Sequence, residues 1–179
     1  MKTYRSLVTS TLLISLTTLM AIDATAQEKH HIAYQTPAEN SKYIQQHAID
    51  AGDAKGHQIR ILEIKKVLPK DAPVYEGVKA VEEWNRGYSD YVDGNGRNWG
   101  YTTIVLENGD KIFGRWDGVS QTIISADGSK KSSSISASTF TGGTGKFQKI
   151  RGTFRGSSTF DAGKGINSGQ VEGDYWMED

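Results

Sequence analysis

Thr141 to Gly152 reads T-G-G-T-G-K-F-Q-K-I-R-G. It joins one run rich in β-formers to another and holds more glycine than a simple hairpin needs. A phosphate-binding loop presents backbone amides at a helix N-terminus, with Ser or Thr after its lysine. Here Phe147 follows Lys146, and strand-like sequence lies on both sides. The segment therefore reads as a strand connector, with Lys146 and Phe147 as turn and packing residues.

The sequence around it is punctuated in the same way. Downstream, Ile150 to Asp161 alternates: Ile150, Gly152, Phe154, Gly156, Ser158 and Phe160 share one parity. Arg151, Thr153, Arg155, Ser157 and Thr159 share the other, so the first set is expected to face a core. Ala162 to Gly165 turns the chain, and Gly169 to Met177 supplies a closing strand. Upstream, Lys130 to Thr141 is serine-rich, but S-I-S-A-S-T-F still alternates like a strand. Asn108-Gly109 between two β-rich runs signals a hairpin whose two turn positions both take positive φ. Asp93 to Gly96 is a further turn. Val74 to Tyr91 reads as one long strand or two short ones split near Gly77, with Gly87 marking a bulge or a close backbone approach. His57 to Val67 is another strand. Ser41 to Ile49 is read as a short helix or an ordered arm.

About seven or eight strands at hairpin spacing, with almost no helix, predict an antiparallel barrel or sandwich. In-strand glycines favour the barrel. The expected fold is all-β, a single antiparallel closed β-barrel. The expected domain layout is a signal peptide over 1–26, an N-terminal arm over 27–56 and the barrel over 57–179.

The signal rests on Lys2 and Arg5, an apolar stretch from Leu7 to Ile22, and the small-x-small site Ala24-Thr25-Ala26. It places the protein in the periplasm or outside the cell. Removing residues 1–26 from 179 leaves 153, enough for one core. The 21 basic and 21 acidic residues of the whole chain become 19 and 20, so no basic surplus suggests a nucleic-acid partner. No later apolar run is long enough to span a membrane as a helix. No cysteine is present, so no disulfide supports the fold. Twenty glycines against three prolines point to many tight turns.

Thr141 to Tyr175 resembles the C-terminal part of plant dirigent proteins and of the related allene oxide cyclase barrel. The likeness is carried by G-G-T-G-K-F at Gly142 to Phe147, by Arg151-Gly152, and by T-F-D-x-x-x-G from Thr159 to Gly165. The runs Q-Q-H-x-I-D, G-H-Q-I-R-I, V-E-E-W, L-E-N-G-D-K-I-F and E-G-D-Y-W also resemble secreted bacterial proteins with an allene-oxide-cyclase-like (calycin-like) barrel. The resemblance implies a barrel that encloses a hydrophobic ligand and steers a reactive intermediate, and it implies a trimer. It places no functional residue on a position of this chain.

Among the residues themselves, Glu82, Trp84, Arg86, Tyr88 and Asp90 share one face of a strand. Turned inward, they would offer a carboxylate, a guanidinium and a phenol beside aromatic walls, a mixture that suits ligand binding or acid–base work. Turned outward, they would be an exposed face with cross-strand charge pairs. Trp116 is a candidate wall aromatic. Glu82, Trp84, Arg86, Tyr88 and Trp116 are therefore the candidate ligand-binding residues, for a small hydrophobic or amphipathic molecule, with no cofactor. His30, His31, His47 and His57 show no chelating spacing, and His57 reads as a hydrogen-bonded strand-edge residue. Serine is abundant, but no G-x-S-x-G elbow occurs, which argues against a hydrolase. Three readings remain open: a binding protein, a cofactor-free cyclase or isomerase, and a structural module whose barrel is filled.

Overall fold

The structure is a computed structural model that describes residues 27–161 and 166–179. The signal segment 1–26 and the turn at Ala162 to Gly165 lie outside the described residues. Ten strands run β1 (His30–Thr36), β2 (Ser41–Asp50), β3 (His57–Val67), β4 (Val74–Tyr75), β5 (Val78–Val92), β6 (Asn95–Leu106), β7 (Lys111–Ile124), β8 (Lys130–Gly143), β9 (Ile150–Asp161) and β10 (Ile166–Met177). All pairings are antiparallel, in the order β1-β10-β9-β8-β7-β6-β5-β3-β2, with β4 paired to β5.

Two expectations change. The ladder ends at β1 and at β2, and no ladder joins those two strands among the described residues. The sheet is therefore open, not a hydrogen-bonded closed barrel. A 3-10 turn over Ala38–Asn40, led in by Pro37, carries the chain from one edge to the other. Side chains still meet across the interior: the Tyr34 hydroxyl of β1 donates to Glu83 of β5 at 2.6 Å. Tyr43 of β2 meets Phe160 of β9 edge-on at 6.0 Å. The stretch read as an arm or short helix is β2, and with β1 it supplies both edges of the sheet. Apart from a part-buried Tyr43 and Ser41, β2 is exposed, so its sequence carries no two-residue apolar rhythm.

The connector at Thr144 behaves as expected. A 3-10 turn over Gly145–Lys149 follows β8 and leads into β9. Phe147 is fully buried, while the Lys146 ammonium donates to the Glu76 carbonyl. At Asn108-Gly109 only Gly109 takes positive φ. The connection is a four-residue loop, Glu107 to Asp110, in which the Asn108 side chain accepts from the Asp110 amide at 3.0 Å. The two-residue turns with both positions at positive φ are instead Glu76-Gly77, at φ 45 and 78, and Asp93-Gly94, at φ 50 and 82.

One end of the sheet is solid. Tyr75, Phe147, Ile104, Leu106, Ile112 and Ile150 are all at or below 1% exposure, and Leu68, Ala72 and Phe140 pack with them. Strand β4 and the 3-10 turn fold over this end. Toward the opposite end, where the β2–β3, β5–β6 and β7–β8 turns lie, inward residues become smaller and more polar, and the interior opens.

Candidate functional site

Cross-strand register defines the interior row by row. Nearest the core, Lys66, Glu83, Ile104 and Ile112 stand opposite one another. Two residues on, Ile64, Asn85, Thr102, Gly114 and Phe140 form the next row. The third row is Leu62, Gly87, Gly100, Trp116, Ser138 and Phe154. The fourth is Arg60, Ser89, Asn98, Gly118, Ser136, Gly156 and Val171. Serines 120, 134 and 158, with Gln58 and Tyr91, form the row at the mouth. Side chains of these rows line a cavity of ≈ 540 Å³, while Ile104, Ile112 and Phe140 belong to the packed core beneath it.

The glycines of the third row have a specific task. A Cβ on Gly87 would lie 2.5 Å from the Trp99 carbonyl and 2.7 Å from Cζ2 of Trp116. One on Gly100 would lie 2.3 Å from the Arg86 carbonyl and 2.8 Å from the same ring carbon. The benzo edge of the Trp116 indole thus occupies the space that side chains at these two glycines of neighbouring strands would need. The close-approach reading of Gly87 holds, and no register shift occurs there.

At the deep end, Glu83 is 4% exposed and accepts from Tyr34 at 2.6 Å, Lys66 at 2.8 Å and Asn85 at 2.6 Å. Thr102 donates to Asn85 at 2.7 Å. Burial alone would raise the Glu83 pKa, but the Lys66 charge and the three donors outweigh it and hold the carboxyl below its usual range. Burial, and then the Glu83 charge, push the Tyr34 phenol well above its ordinary value. The cluster is a neutral phenol and an ionised pair, fixed by hydrogen bonds.

Near the mouth, both ring nitrogens of His57 meet carboxylates, Asp53 at 2.5 Å and Asp90 at 2.7 Å. An imidazole can donate from both nitrogens only when protonated. The bonds to Asp90 and then Asp53 raise the His57 pKa, and His57 in turn lowers that of Asp53.

The candidates from the sequence divide. Trp116 lines the cavity. Glu82, Trp84, Arg86 and Tyr88 do not; they stand on the outer face, which corrects the inward placement. The reason is a β-bulge between Ala80 and Glu82. Ala80 is buried, the extra residue flips the alternation, and the odd positions Glu83, Asn85, Ser89 and Tyr91 then point inward. Outside, Glu82 pairs with Lys65 at 2.6 Å and accepts from the Trp84 indole at 3.0 Å. Lys65 and Arg86 each lie 5.1 Å from the Trp84 ring centre. Arg86 donates to Glu63 at 2.7 Å, and Tyr88 stacks on Trp99. Arg86 and Tyr88 also border a shallow outer groove of ≈ 230 Å³ with His47, Ile61 and Tyr101. The other two histidines sit on opposite faces of β1: His30 stacks on Tyr175, and His31 bonds Asp174 at 3.0 Å.

The interior residues that sequence reasoning missed are Arg60, Lys66, Glu83, Asn85, Ser89 and Asn98, with Ser132, Ser134, Ser136 and Ser138. The serine alternation of β8 was the one signal available. It marked a strand, and its polar parity is the inward one.

No family model matches the chain, and no curated protein matches it significantly. Among solved structures, it is similar to a pterocarpan synthase dirigent protein at 11% identity, with a TM-score of 0.44. That match covers 85% of this chain and 97% of the other.

Proposed function

We propose that this protein, exported to the periplasm or secreted, binds a small, partly apolar molecule inside its coiled sheet. The observation that carries the reading is the cavity of ≈ 540 Å³ above a solid core. Ligand pockets run roughly 300 to 1,000 Å³ and combine apolar walls with a few oriented polar groups. Leu62, Trp116, Phe154, Phe160 and Val171 supply the first, and hydroxyl, amide and charged side chains supply the second. A filled structural module does not need such space.

Native mass spectrometry of protein purified without denaturant is expected to show a retained small molecule. Ser136→Phe, which fills the cavity from the middle of β8, is expected to release it with the far-ultraviolet circular dichroism unchanged. Retention of the same molecule by that variant would sink the reading.

One observation favours a cofactor-free cyclase or isomerase as the second reading: the Lys66–Glu83–Tyr34 cluster borders the cavity. A carboxylate that accepts from three donors is a weak general base, so binding remains the first reading. Conversion of a retained molecule that stops in Glu83→Gln would reverse the order.

The family resemblance also implies association of copies. The outer face of β3, β5 and β6 exposes Ile59, Ile61, Tyr88, Trp99 and Tyr101. Arg86 and Arg97 stand among them with Asp90, so one such face presents charges of both signs to another. Light scattering after gel filtration is expected to report a multiple of the chain mass, reduced to one by Tyr101→Glu. A wild-type mass of one chain would refute it.

A further inference from the structure

Three residues that line the cavity each hold a buried polar atom with no hydrogen-bond partner among the described residues: Nε of Arg60, Oγ of Ser89 and Nε1 of Trp116. Two are strictly donors and the third is a hydroxyl. They are not scattered. Arg60 stands directly opposite Ser89 in the β3–β5 register, and Trp116 lies one row deeper. Buried donors are almost always paired in folded proteins, so a cluster of three needs an explanation.

The charges sharpen it. Lys66 and Glu83 neutralise each other at 2.8 Å. Lys130 and Asp93, of opposite sign, are exposed at the mouth. Arg60 forms no ion pair among the described residues; its one side-chain bond is from Nη2 to the Gln58 amide oxygen at 2.7 Å. A guanidinium held inside without a counter-charge is costly, and its planar fork matches a carboxylate or a similar oxyanion.

We propose that the ligand of this cavity is a small organic anion, its acidic oxygens held by Arg60 with Ser89 and Trp116, and its apolar body lying deeper against Leu62, Trp116 and Phe154. This rests on the binding reading above and adds to it the ligand's charge and its orientation. The serine hydroxyls of β8 then form the remaining wall without competing for the charge.

Calorimetry separates the two ideas. The probes are aliphatic and phenyl-substituted carboxylates of about six to fourteen carbons, sized to the cavity, each beside its own primary amide. In the wild-type protein the best carboxylates are expected to bind at least about tenfold tighter than their amides. Arg60→Met is expected to bring that ratio to about one, Arg60→Lys to keep part of it, and Ser89→Ala to reduce it about two- to threefold. Arg60→Gln serves where the Met variant folds poorly. A melting temperature for Arg60→Met at or above the wild-type value supports a ligand-directed arginine, since the only side-chain bond lost among the described residues is the one to Gln58; a clear fall argues for a structural one and against the proposal. Equal binding of acids and amides by the wild type overturns the anion while leaving the cavity reading intact. No saturable binding in either series overturns both.

Discussion

At the scale of single residues, Glu83 shows what polar burial demands. Its carboxylate is almost fully enclosed and engaged by Lys66, Tyr34 and Asn85. Removing one partner of a buried ion pair typically costs about 3–5 kcal/mol, because the other charge is left uncompensated. Glu83→Gln is therefore expected to lose that order of stability in urea unfolding. Lys66→Met combined with Glu83→Gln is expected to recover most of it, and a double variant no better than the single one would contradict the pairing. The folded pKa of Glu83 is depressed, so its contribution is present above the unfolded value of about 4.3 and lost as pH falls through the folded one. His57 has the opposite sign. Its folded pKa is raised, so its contribution is complete below the unfolded value of about 6.5 and fades as pH rises through the folded pKa. Asp53, depressed, contributes above about 3.9. The Asp53–His57–Asp90 bridge is thus expected to be strongest between about pH 4 and 6.5. An NMR titration of the His57 ring is expected to give a midpoint above that of a free histidine, and Asp90→Asn to lower it.

At the scale of strands, most elements were legible and one face was not. The turns at Gly77, Asp93-Gly94, Asn108-Gly109 and the Gly142–Lys149 segment all separate strands in the structure, because glycine and asparagine mark backbone conformations that other residues avoid. The inward parity of β9 was also readable, since Ile150 and Phe154 are buried. On β5 the alternation misled for two physical reasons. The bulge after Ala80 moves every later side chain to the other face. In addition, polarity is inverted around the cavity: the interior holds Ser, Asn, Arg and Glu, while Trp84, Tyr88 and Trp99 stand outside, so hydrophobicity gives no guide to direction. Strand β2 was missed because little of it is buried. The Gly87–Gly100–Trp116 row gives a test at this scale. Gly87→Ala forces a Cβ against the Trp99 carbonyl and the indole, which is expected to cost about 1–3 kcal/mol in urea unfolding. The near-ultraviolet circular dichroism of the tryptophans is expected to change with it. A neutral Gly87→Ala would place the indole elsewhere.

At the scale of the whole molecule, the sheet is two structures in one: a plugged end that carries stability and a hollow end that carries the proposed site. Local opening follows contact density. Backbone amides around Ile104, Ile112 and Ile150 are therefore expected to exchange with solvent last, and those of the β7–β8 mouth around Ile123 and Lys130 early. Uniform protection along β7 would contradict that division. One feature of the topology bears on how the chain reaches this state. β1 pairs along its whole length with β10, His30 opposite Tyr175 and Thr36 opposite Gly169, and the Gln27 side chain donates to the Met177 carbonyl at 2.6 Å. Closing a loop of that length carries a chain-entropy term on the order of 4 kcal/mol before any contact rewards it. The first strand to leave the ribosome has to wait, unpaired, for the last. The β1–β10 pairing is therefore a late step, and until it forms β10 stands as an edge of the sheet in place of β1.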